Sequence, residues 1–492
     1  MISMQLKRLA RGAAIYGTGV VLNRFITLLL LPLFTAYLSP KEFGIIAILT
    51  MLSGLLSCIF SLGVGVSIGI YYFIGTGIKQ KAETIWMATF VLALASVSLL
   101  TVGVLGSEKL AFSALGSIEY RFLVILALVN TSLEILTQPS ISYLQFEEKS
   151  TQFVINSVVT THITLGRSKL FIAVLEKGII GLMEAGVISR LFSFIIYISI
   201  MVGSLKLSIN LHLAKKLIKT GLPYVTGALC FFLIQYADRY MLEIFCGLKV
   251  VGIYSVGYSL GMVMILFVAA FSSAWTPYFN SFVNNQQEAK NLFGKVLEYY
   301  IMGMGVLCLC MFLFAMPVVV IMTTVPFYGA YTVVGLIALS QLLYGCYIIF
   351  LPGLYYAKKS GKVNLIIILA SCINILLNLI LVPKWDMLGA TLATVVSFLF
   401  MAVATHFTAK KYLVINFDWL KITKYIILWG LCVILSYQIQ GQTITRQILI
   451  ALLIISSFLC TCYFILDDKE KFYFKKLCHA IYGFGKLKSK KC

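Results

Sequence analysis

The stretch Tyr16-Gly17-Thr18-Gly19 recurs 208 residues further along the chain as Tyr224-Val225-Thr226-Gly227. Two further groups of residues repeat at the same displacement without a gap: Lys41, Gly44 and Ile45 as Lys249, Gly252 and Ile253, and Gly181, Ala185, Val187 and Ser189 as Gly389, Ala393, Val395 and Ser397. A Gly-rich apolar sequence gives short matches by chance, but three separated blocks at one displacement indicate a duplication. The sequence therefore predicts two structurally related halves.

Composition places both halves in a lipid bilayer. Hydrophobic residues make up 60% of the chain, charged residues only 12%, and the mean hydropathy is +0.97. A soluble domain carries about 25% charged residues, so an integral membrane protein is predicted. A helix of about 20 apolar residues crosses a hydrocarbon core roughly 30 Å thick. Such runs predict fourteen transmembrane helices: 12–37, 44–74, 84–106, 120–144, 152–175, 180–203, 220–245, 252–279, 297–322, 332–356, 363–382, 388–409, 422–439 and 447–466.

The distribution of Lys and Arg reflects membrane topology rather than binding to a polyanionic partner. The formal net charge is +21, but most Lys and Arg residues fall in loops and tails on one side if both termini are cytoplasmic. This is the positive-inside pattern, and it argues against nucleic acid as a partner. The first predicted helix is longer than a signal-peptide core and carries Arg24 inside it, so we expect it to be retained.

The displacement divides the chain into an N-lobe (1–208), a C-lobe (209–416), a remaining helix pair (417–466) and a basic cytoplasmic tail (467–492). The predicted fold is all-α, with two pseudo-symmetric six-helix lobes and a C-terminal helix pair. Repeats of this kind are typical of transporters that work by alternating access and bind substrate between the lobes. The tail alternates Lys with aromatic residues, so it either lies on anionic membrane lipid or is simply solvated.

No metal or cofactor is expected. The twelve cysteines are scattered and form no Cys-x-x-Cys pair, which favours neither a disulfide framework nor a zinc site. The sequence contains no Walker loop to hold nucleotide phosphates. ATP hydrolysis is therefore not expected to drive transport.

Four passages in a fixed order carry a family resemblance: Arg11-Gly12-Ala13-Ala14-Ile15-Tyr16-Gly17 with Leu38 to Gly44 after it; Asp238 to Leu242 continuing to Val251-Gly252-Ile253-Tyr254; Tyr355 to Lys362; and Asn374 to Asn378 before Val382-Pro383-Lys384 and Gly389-Ala390. They resemble the polysaccharide transporter branch of the multidrug/oligosaccharidyl-lipid/polysaccharide (MOP) superfamily, the Wzx-type flippases of O-antigen and related repeat units. The resemblance spans nearly the whole chain.

The resemblance implies a flippase that moves an undecaprenyl-pyrophosphate-linked oligosaccharide from the cytoplasmic to the outer leaflet of the bacterial inner membrane. It implies two six-helix bundles around a central cavity, with the last helix pair beside it. Membrane lipids and polysaccharide assembly proteins are the implied partners. Such a substrate has an anionic pyrophosphate, a polar sugar head and an apolar tail, so its path must be cationic, wet and open to the side.

Arg24 lies near the middle of the first predicted helix, with no acidic residue three or four positions away. An unpaired guanidinium facing lipid at that depth would be very unfavourable. We therefore expect Arg24 to face a cavity and bind a phosphate, or to form a structural ion pair with Glu134 or Glu184.

Two polar stripes mark inward faces of the N-lobe. Asn130, Glu134 and Gln138 share one face of a helix, and His162, Lys169 and Glu176 repeat every seven residues. Gly166-Arg167-Ser168-Lys169 could instead break the second of these helices, leaving His162 an ordinary satisfied imidazole. The predicted N-lobe helices contain more basic than acidic residues, and we place the pyrophosphate there: Arg24, Arg167, Lys169 and Arg190 against Glu134 and Glu184.

Asp238 and Arg239 are adjacent in the seventh predicted helix, so they point about 100° apart. Arg239 is expected to reach Glu243 one turn on, leaving Asp238 to meet another helix or a proton. The resemblance marks this pair as a signature near the outer end of the helix, with a gating or a structural role. Asn374 and Asn378 lie on a polar stripe that suits sugar hydroxyls, although such residues also join membrane helices.

The sequence offers several candidate sites for a coupling ion and more than one functional class. Glu134, Glu184, Asp238 and His162 are candidate proton or sodium sites, because burial shifts their titration. A drug or cation antiporter of the same superfamily is the main alternative, but it usually has twelve helices. A membrane polymerase or lipid-linked glycosyltransferase would need acceptor-binding outer loops or paired metal-binding carboxylates. Neither is found in the sequence, so no enzymatic activity is expected.

Overall fold

The computed structural model describes residue 28 and residues 30–75, 77–171, 177–283, 285–439, 443–468 and 470–472. These residues contain no strand, and the regular structure is helical. The α-helices are α1 (Leu31–Tyr37), α2 (Pro40–Phe60), α3 (Val64–Ile74), α4 (Ile78–Leu105), α5 (Ser107–Leu115), α6 (Arg121–Phe146), α7 (Ser150–Lys169), α8 (Gly178–Ser204), α9 (Leu211–Cys246), α10 (Leu248–Gly261), α11 (Met264–Asn280), α12 (Gln286–Leu313), α13 (Ala315–Met322), α14 (Tyr331–Phe350), α15 (Pro352–Tyr356), α16 (Ser360–Lys410), α17 (Trp419–Ile439) and α18 (Ile444–Ile465).

Within the described residues, eleven helices are long and apolar enough to cross a membrane. This confirms the predicted class, an all-α multi-pass membrane protein. The longest of them, α16, has 51 residues and contains non-helical backbone at Trp385 and Asp386, so it comprises two of the predicted spans. Where the structure describes them, the predicted spans after the first coincide with helices, several of which are separated by short breaks within a span. The first span is described at residue 28 and from residue 30 onwards. The count of fourteen stays a prediction.

The start of α2 shows how the sequence sets a helix end. Ser39 accepts a hydrogen bond from the backbone N–H of Glu42, and Glu42 accepts one in return from the backbone N–H of Ser39. This capping box satisfies N–H groups that have no partner within the helix. Pro40 occupies the first turn, where its missing N–H costs nothing. Between α2 and α3 the helix breaks at Gly63, whose φ is +64°.

One large apolar core joins N-lobe side chains to C-lobe side chains of α9, α10, α14 and α16, and a second core lies in the C-lobe. The last helix pair packs on the C-lobe. Buried side chains of α12 meet those of α17 and α18, among them Leu309, Tyr425 and Phe458. Trp429 of α17 donates a hydrogen bond to the Gly305 carbonyl of α12 at 3.0 Å. The helix pair therefore follows the C-lobe in sequence and also packs against it.

Helices α2 and α10 make a close backbone contact between the lobes. A Cβ on Gly44 would lie 1.9 Å from the Leu248 carbonyl oxygen, and one on Gly252 would lie 1.8 Å from that of Pro40. Only residues without a side chain permit this approach. Gly44 and Gly252 are equivalent positions of the duplication, as are Pro40 and Leu248, so the contact follows the pseudo-twofold relation of the repeat.

We call the end of the bundle at which α2 and α10 begin the outer end, because the predicted topology places it outside. Further contacts join the two lobes there. Thr324 donates a hydrogen bond to the Thr35 carbonyl at 2.8 Å, and the rings of Phe43 and Phe327 lie edge to face at 5.1 Å. The Tyr240 hydroxyl donates to the Ser113 carbonyl at 3.2 Å. The lobes therefore meet at the outer end. They also meet at the opposite end, where the hydroxyls of Tyr71 and Thr220 lie 3.0 Å apart.

Charged side chains join α12, α17 and the beginning of the tail at the opposite end, and we call them the tail cluster: Lys295, Glu298, Lys421, Asp467 and Glu470. Lys295 lies 2.8 Å from Glu470 and 3.0 Å from Glu298. Lys421 pairs with Asp467 and lies 3.2 Å from Glu470. The described part of the tail is therefore held to the C-lobe and the helix pair.

Candidate functional site

A cavity of about 680 Å³ lies in the N-lobe and is closed on one side by α9 of the C-lobe. Its wall carries polar side chains from α2, α6, α7 and α8 and aromatic rings from α9: Thr50, Thr160, Thr164, Ser193, Phe232 and Tyr236. A cavity of about 620 Å³ continues towards the opposite end of the bundle along α3, α6 and α9. The two cavities share Glu134, Arg190 and Ser193, so they form one path.

Glu134 and Arg190 form an ion pair where the two cavities meet. Arg190 Nη2 lies 2.8 Å from Glu134 Oε2, and each side chain is 48% exposed. Asn130 and Gln138 lie one turn to either side of Glu134 on α6, and each lines one of the cavities. The predicted α6 stripe thus runs along the path, while its role in binding stays a prediction.

The other basic residues expected around the pyrophosphate lie elsewhere or outside the described residues. Arg24 lies outside them, as does the Lys169 side chain. Helix α7 runs unbroken through Gly166 to Lys169, and Arg167 on it lines none of the three cavities described here.

His162, which the sequence pattern places on the substrate path, lines none of the cavities described here, and a role for it in binding stays a prediction. His162 is exposed on α7 and its Nδ1 lies 2.9 Å from the Val158 carbonyl oxygen of its own helix. Thr160, Thr161 and Thr164 turn the other face of α7 to the cavity, and a residue two positions from Thr160 and Thr164 points away from it. The alternative of a satisfied imidazole fits this geometry.

Glu184, proposed from sequence for gating or coupling, pairs with Lys177 at 2.9 Å near the start of α8. Both side chains are partly exposed, and neither lines the cavities described here. In the described part of the chain this pair is a local contact at the start of α8.

Arg239 does not reach Glu243 as expected; it pairs with its neighbour Asp238 at 3.0 Å. The Asp238 side chain is fully buried, and Tyr254 of α10 donates a hydrogen bond to its second oxygen. The Arg239 guanidinium lies 4.7 Å from the centre of the Tyr236 ring and 4.1 Å from that of Tyr258. These rings hold the guanidinium next to Asp238 and away from Glu243.

A third cavity, of about 560 Å³, adjoins the Arg239 side chain near the outer end. Its wall is mainly apolar and comes from α1, α2, α9, α10 and the start of α11. Phe34, Thr50 and Tyr236 border both this cavity and the one that contains Glu134.

Asn374 and Asn378 line none of these cavities, and their contact with sugar stays a prediction. Both are fully buried in α16, and the Asn378 side-chain amide donates to the Asn374 carbonyl at 2.9 Å and to its side-chain oxygen at 3.0 Å. The Asn374 Nδ2 and the Asn378 Oδ1 have no hydrogen-bond partner in the described chain. The alternative role within helix packing fits this position.

The family model described as "Polysaccharide biosynthesis protein" matches residues 34–344, more than half of the chain. The chain belongs to the polysaccharide biosynthesis protein family. No curated protein matches it at a significant level. The resemblance read from the four sequence passages is confirmed.

Solved structures of MOP superfamily transporters share the fold. "Lipid II flippase MurJ, inward closed conformation" has 16% identity and a TM-score of 0.73, over 92% of this chain and 99% of that one. An inward-facing multidrug resistance MATE transporter has 14% identity and a TM-score of 0.67, over 79% and 94%. A MOP superfamily transporter from Pyrococcus furiosus has 15% identity and a TM-score of 0.62, over 82% and 95%.

For this member of the family, sequence reasoning missed the hydroxyl-bearing face of α7 and the aromatic wall of α9. Thr160 and Thr164 are four residues apart, a spacing that places two side chains on one helix face. That signal was available, whereas the place of Phe232 and Tyr236 in the wall depends on how α9 lies across the N-lobe. Among the described residues, no group of three or more His, Cys, Asp or Glu side chains is arranged to hold a metal ion.

Proposed function

We propose that this protein is a flippase that moves an undecaprenyl-pyrophosphate-linked oligosaccharide, the repeat unit of a polysaccharide, across the bacterial inner membrane by alternating access. Family membership supports a transporter for polysaccharide biosynthesis. The likeness to a lipid II flippase supports a fold that can hold a lipid-linked substrate. Both termini are proposed to be cytoplasmic, and the protein is not proposed to be an enzyme.

The observation that carries the proposal is the exposed Arg190 in a large cavity of the N-lobe that α9 of the C-lobe closes on one side. A guanidinium binds phosphate through charge-assisted hydrogen bonds. The threonine and serine hydroxyls of α7 and α8 suit the hydroxyl groups of a sugar head. We therefore place the pyrophosphate at Arg190 and the adjoining sugars along α6 and α7.

The position of the cavities supports entry of the substrate from the cytoplasmic end. The lobes make close backbone contacts at Gly44 and Gly252 at the outer end and at Gly63 and Gly221 further along the bundle, and the cavity that contains Gln138 and Gln145 extends towards the opposite end. A substrate made in the cytoplasm would enter from that end.

Coupling to a proton or sodium gradient is part of the proposal. Glu134 is the carboxylate that lies in the path, so it is our first candidate for such coupling. Asp238, Glu184 and Glu243 are secondary candidates, because they lie outside the wall of the path. Polysaccharide assembly proteins are proposed as partners in the membrane.

The test is transfer of a fluorescent lipid-pyrophosphate oligosaccharide between leaflets of proteoliposomes. Arg190→Ala is expected to lower the rate by about tenfold or more, since hydrogen bonds to charged groups are worth about 1.5–3 kcal/mol. Arg121→Ala is the matched control, because Arg121 forms a partly exposed pair with Glu108 outside the path.

Flipping by the intact chain with loss in Arg190→Ala alone would support the proposal. If the intact chain left the lipid in place but moved drugs or small cations, the antiporter alternative would replace it.

A further inference from the structure

The pair of Arg190 and Glu134 has room on both sides. One cavity of about 680 Å³ and another of about 620 Å³ border it, and both side chains are about half exposed. The contact runs from Arg190 Nη2 to Glu134 Oε2. A guanidinium has five N–H donors, so a single carboxylate cannot engage them all.

The other arginine pair near the path has the opposite character. Asp238 is fully buried, Arg239 is 7% exposed, and two tyrosine rings cover the guanidinium. Separating a buried pair leaves a charge without water or partner, which costs several kcal/mol. Separating an exposed pair costs only about 0.2–1 kcal/mol. Of the two pairs, only Arg190 and Glu134 can exchange partners at little cost.

We propose that the Glu134 carboxylate occupies the anion site of Arg190 in the empty transporter, and that the pyrophosphate of the substrate displaces it. This rests on the proposed function and adds an internal competitor to it. A pyrophosphate offers more negative charge and more acceptor oxygens than a carboxylate, so it is the stronger partner for a guanidinium. Glu134 thus keeps Arg190 in place without blocking the site permanently.

The displaced carboxylate remains on the same face of α6, between Asn130 and Gln138. There it lines the path that the sugar head would occupy, and it accepts hydrogen bonds from sugar hydroxyls. One exchange of partners thereby forms a phosphate contact and a sugar contact.

The test measures binding of inorganic pyrophosphate to the purified full-length protein by calorimetry. Glu134→Gln removes the competitor and is expected to lower the Kd about two- to fivefold, the range that an exposed ion pair allows. Arg190→Gln is expected to abolish binding. Glu108→Gln removes the same charge from the exposed Arg121 pair outside the path, and its Kd should be unchanged.

Infrared difference spectra separate displacement from a simple change of local field. Pyrophosphate should shift a carboxylate stretching band that is missing in Glu134→Gln. An unchanged band, an unchanged or higher Kd in Glu134→Gln, or no binding to any variant would overturn the proposal. Because this assay needs no lipid transfer, the exchange can hold even if the flipping assay fails, and flipping can succeed without it.

Discussion

At the scale of single residues, the two arginine–carboxylate pairs Arg239–Asp238 and Arg190–Glu134 differ in burial and therefore in their expected roles. Arg239 balances a carboxylate that has no access to water, whereas Arg190 balances one that lies in a path. Substituting the first should therefore affect stability, and substituting the second should affect binding.

Arg239→Ala is expected to destabilise the protein by about 3–5 kcal/mol, because it leaves the Asp238 charge buried and unpaired. The measurement is unfolding of the purified protein in detergent. Arg121→Ala removes an exposed pair and should cost about 0–1 kcal/mol. Equal stability of the two variants would show that Asp238 does not depend on Arg239. The double variant Asp238→Asn, Arg239→Ala should recover part of the loss.

Sequence reasoning at this scale predicted which helix faces carry polar side chains but not which partners those side chains choose. The spacing of Asn130, Glu134 and Gln138 placed them on one face, and helix geometry alone fixes that. The partner of Arg239 was mispredicted because the rings of Tyr254 and Tyr258, which approach from α10, direct the guanidinium. A one-dimensional spacing contains no information about a neighbouring helix.

At the scale of helices, the tail cluster joins elements that are far apart in sequence. Glu470 accepts hydrogen bonds from Lys295 at 2.8 Å, from Lys421 at 3.2 Å and from the Asp467 backbone N–H at 2.9 Å. Burial alone would raise the pKa of the Glu470 carboxyl, but these bonds outweigh it and lower the pKa to about 2. The tail is therefore held by a carboxylate that stays ionised in moderate acid.

A lowered pKa in the folded state stabilises the fold above the ordinary pKa of the group, which is 4.5 for Glu470. That stabilisation should be lost as the pH falls from about 4.5 towards 2. We expect the melting temperature of the intact protein to fall more steeply in this window than that of Glu470→Gln. Parallel melting curves for the two proteins, with Glu108→Gln as a second reference, would contradict the assignment.

Hydropathy located the helices but not the breaks that tertiary contacts impose. The interruption at Trp385 and Asp386 falls in the gap between the predicted spans 363–382 and 388–409. The break at Gly63 was not, because it depends on the approach of α9: a Cβ on Gly63 would lie 2.1 Å from the Gly221 carbonyl oxygen. A hydropathy profile contains no information about such a contact.

At the scale of the whole molecule, the contact of α2 with α10 controls how closely the lobes approach at the outer end. Gly44→Ala or Gly252→Ala would insert a methyl group where less than 2 Å is free, so the helices must separate. We expect these variants to favour an outward-open state and to flip lipid more slowly. Gly303→Ala is the control, because nothing lies within 4 Å of a Cβ at that position.

The accessibility of Cys58 from the outer side reports whether the outer end is open, because Cys58 lines the cavity that contains Gln138. Labelling by a membrane-impermeant maleimide from the outer side, read by mass spectrometry at Cys58, should increase in Gly44→Ala and Gly252→Ala and stay unchanged in Gly303→Ala. Equal labelling in all three would show that the glycines do not hold the outer end closed.

The same contact also has a consequence for ancestry. Pro40 and Leu248 differ by the displacement of the duplication, as do Gly44 and Gly252, so each half presents one surface to the same surface on the other half. This is the isologous geometry of a twofold homodimer. A chain of half this length could therefore form the contact with a second copy of itself. Fusion of two such copies would free them to diverge, and here one has acquired the exchangeable arginine and the other the buried one.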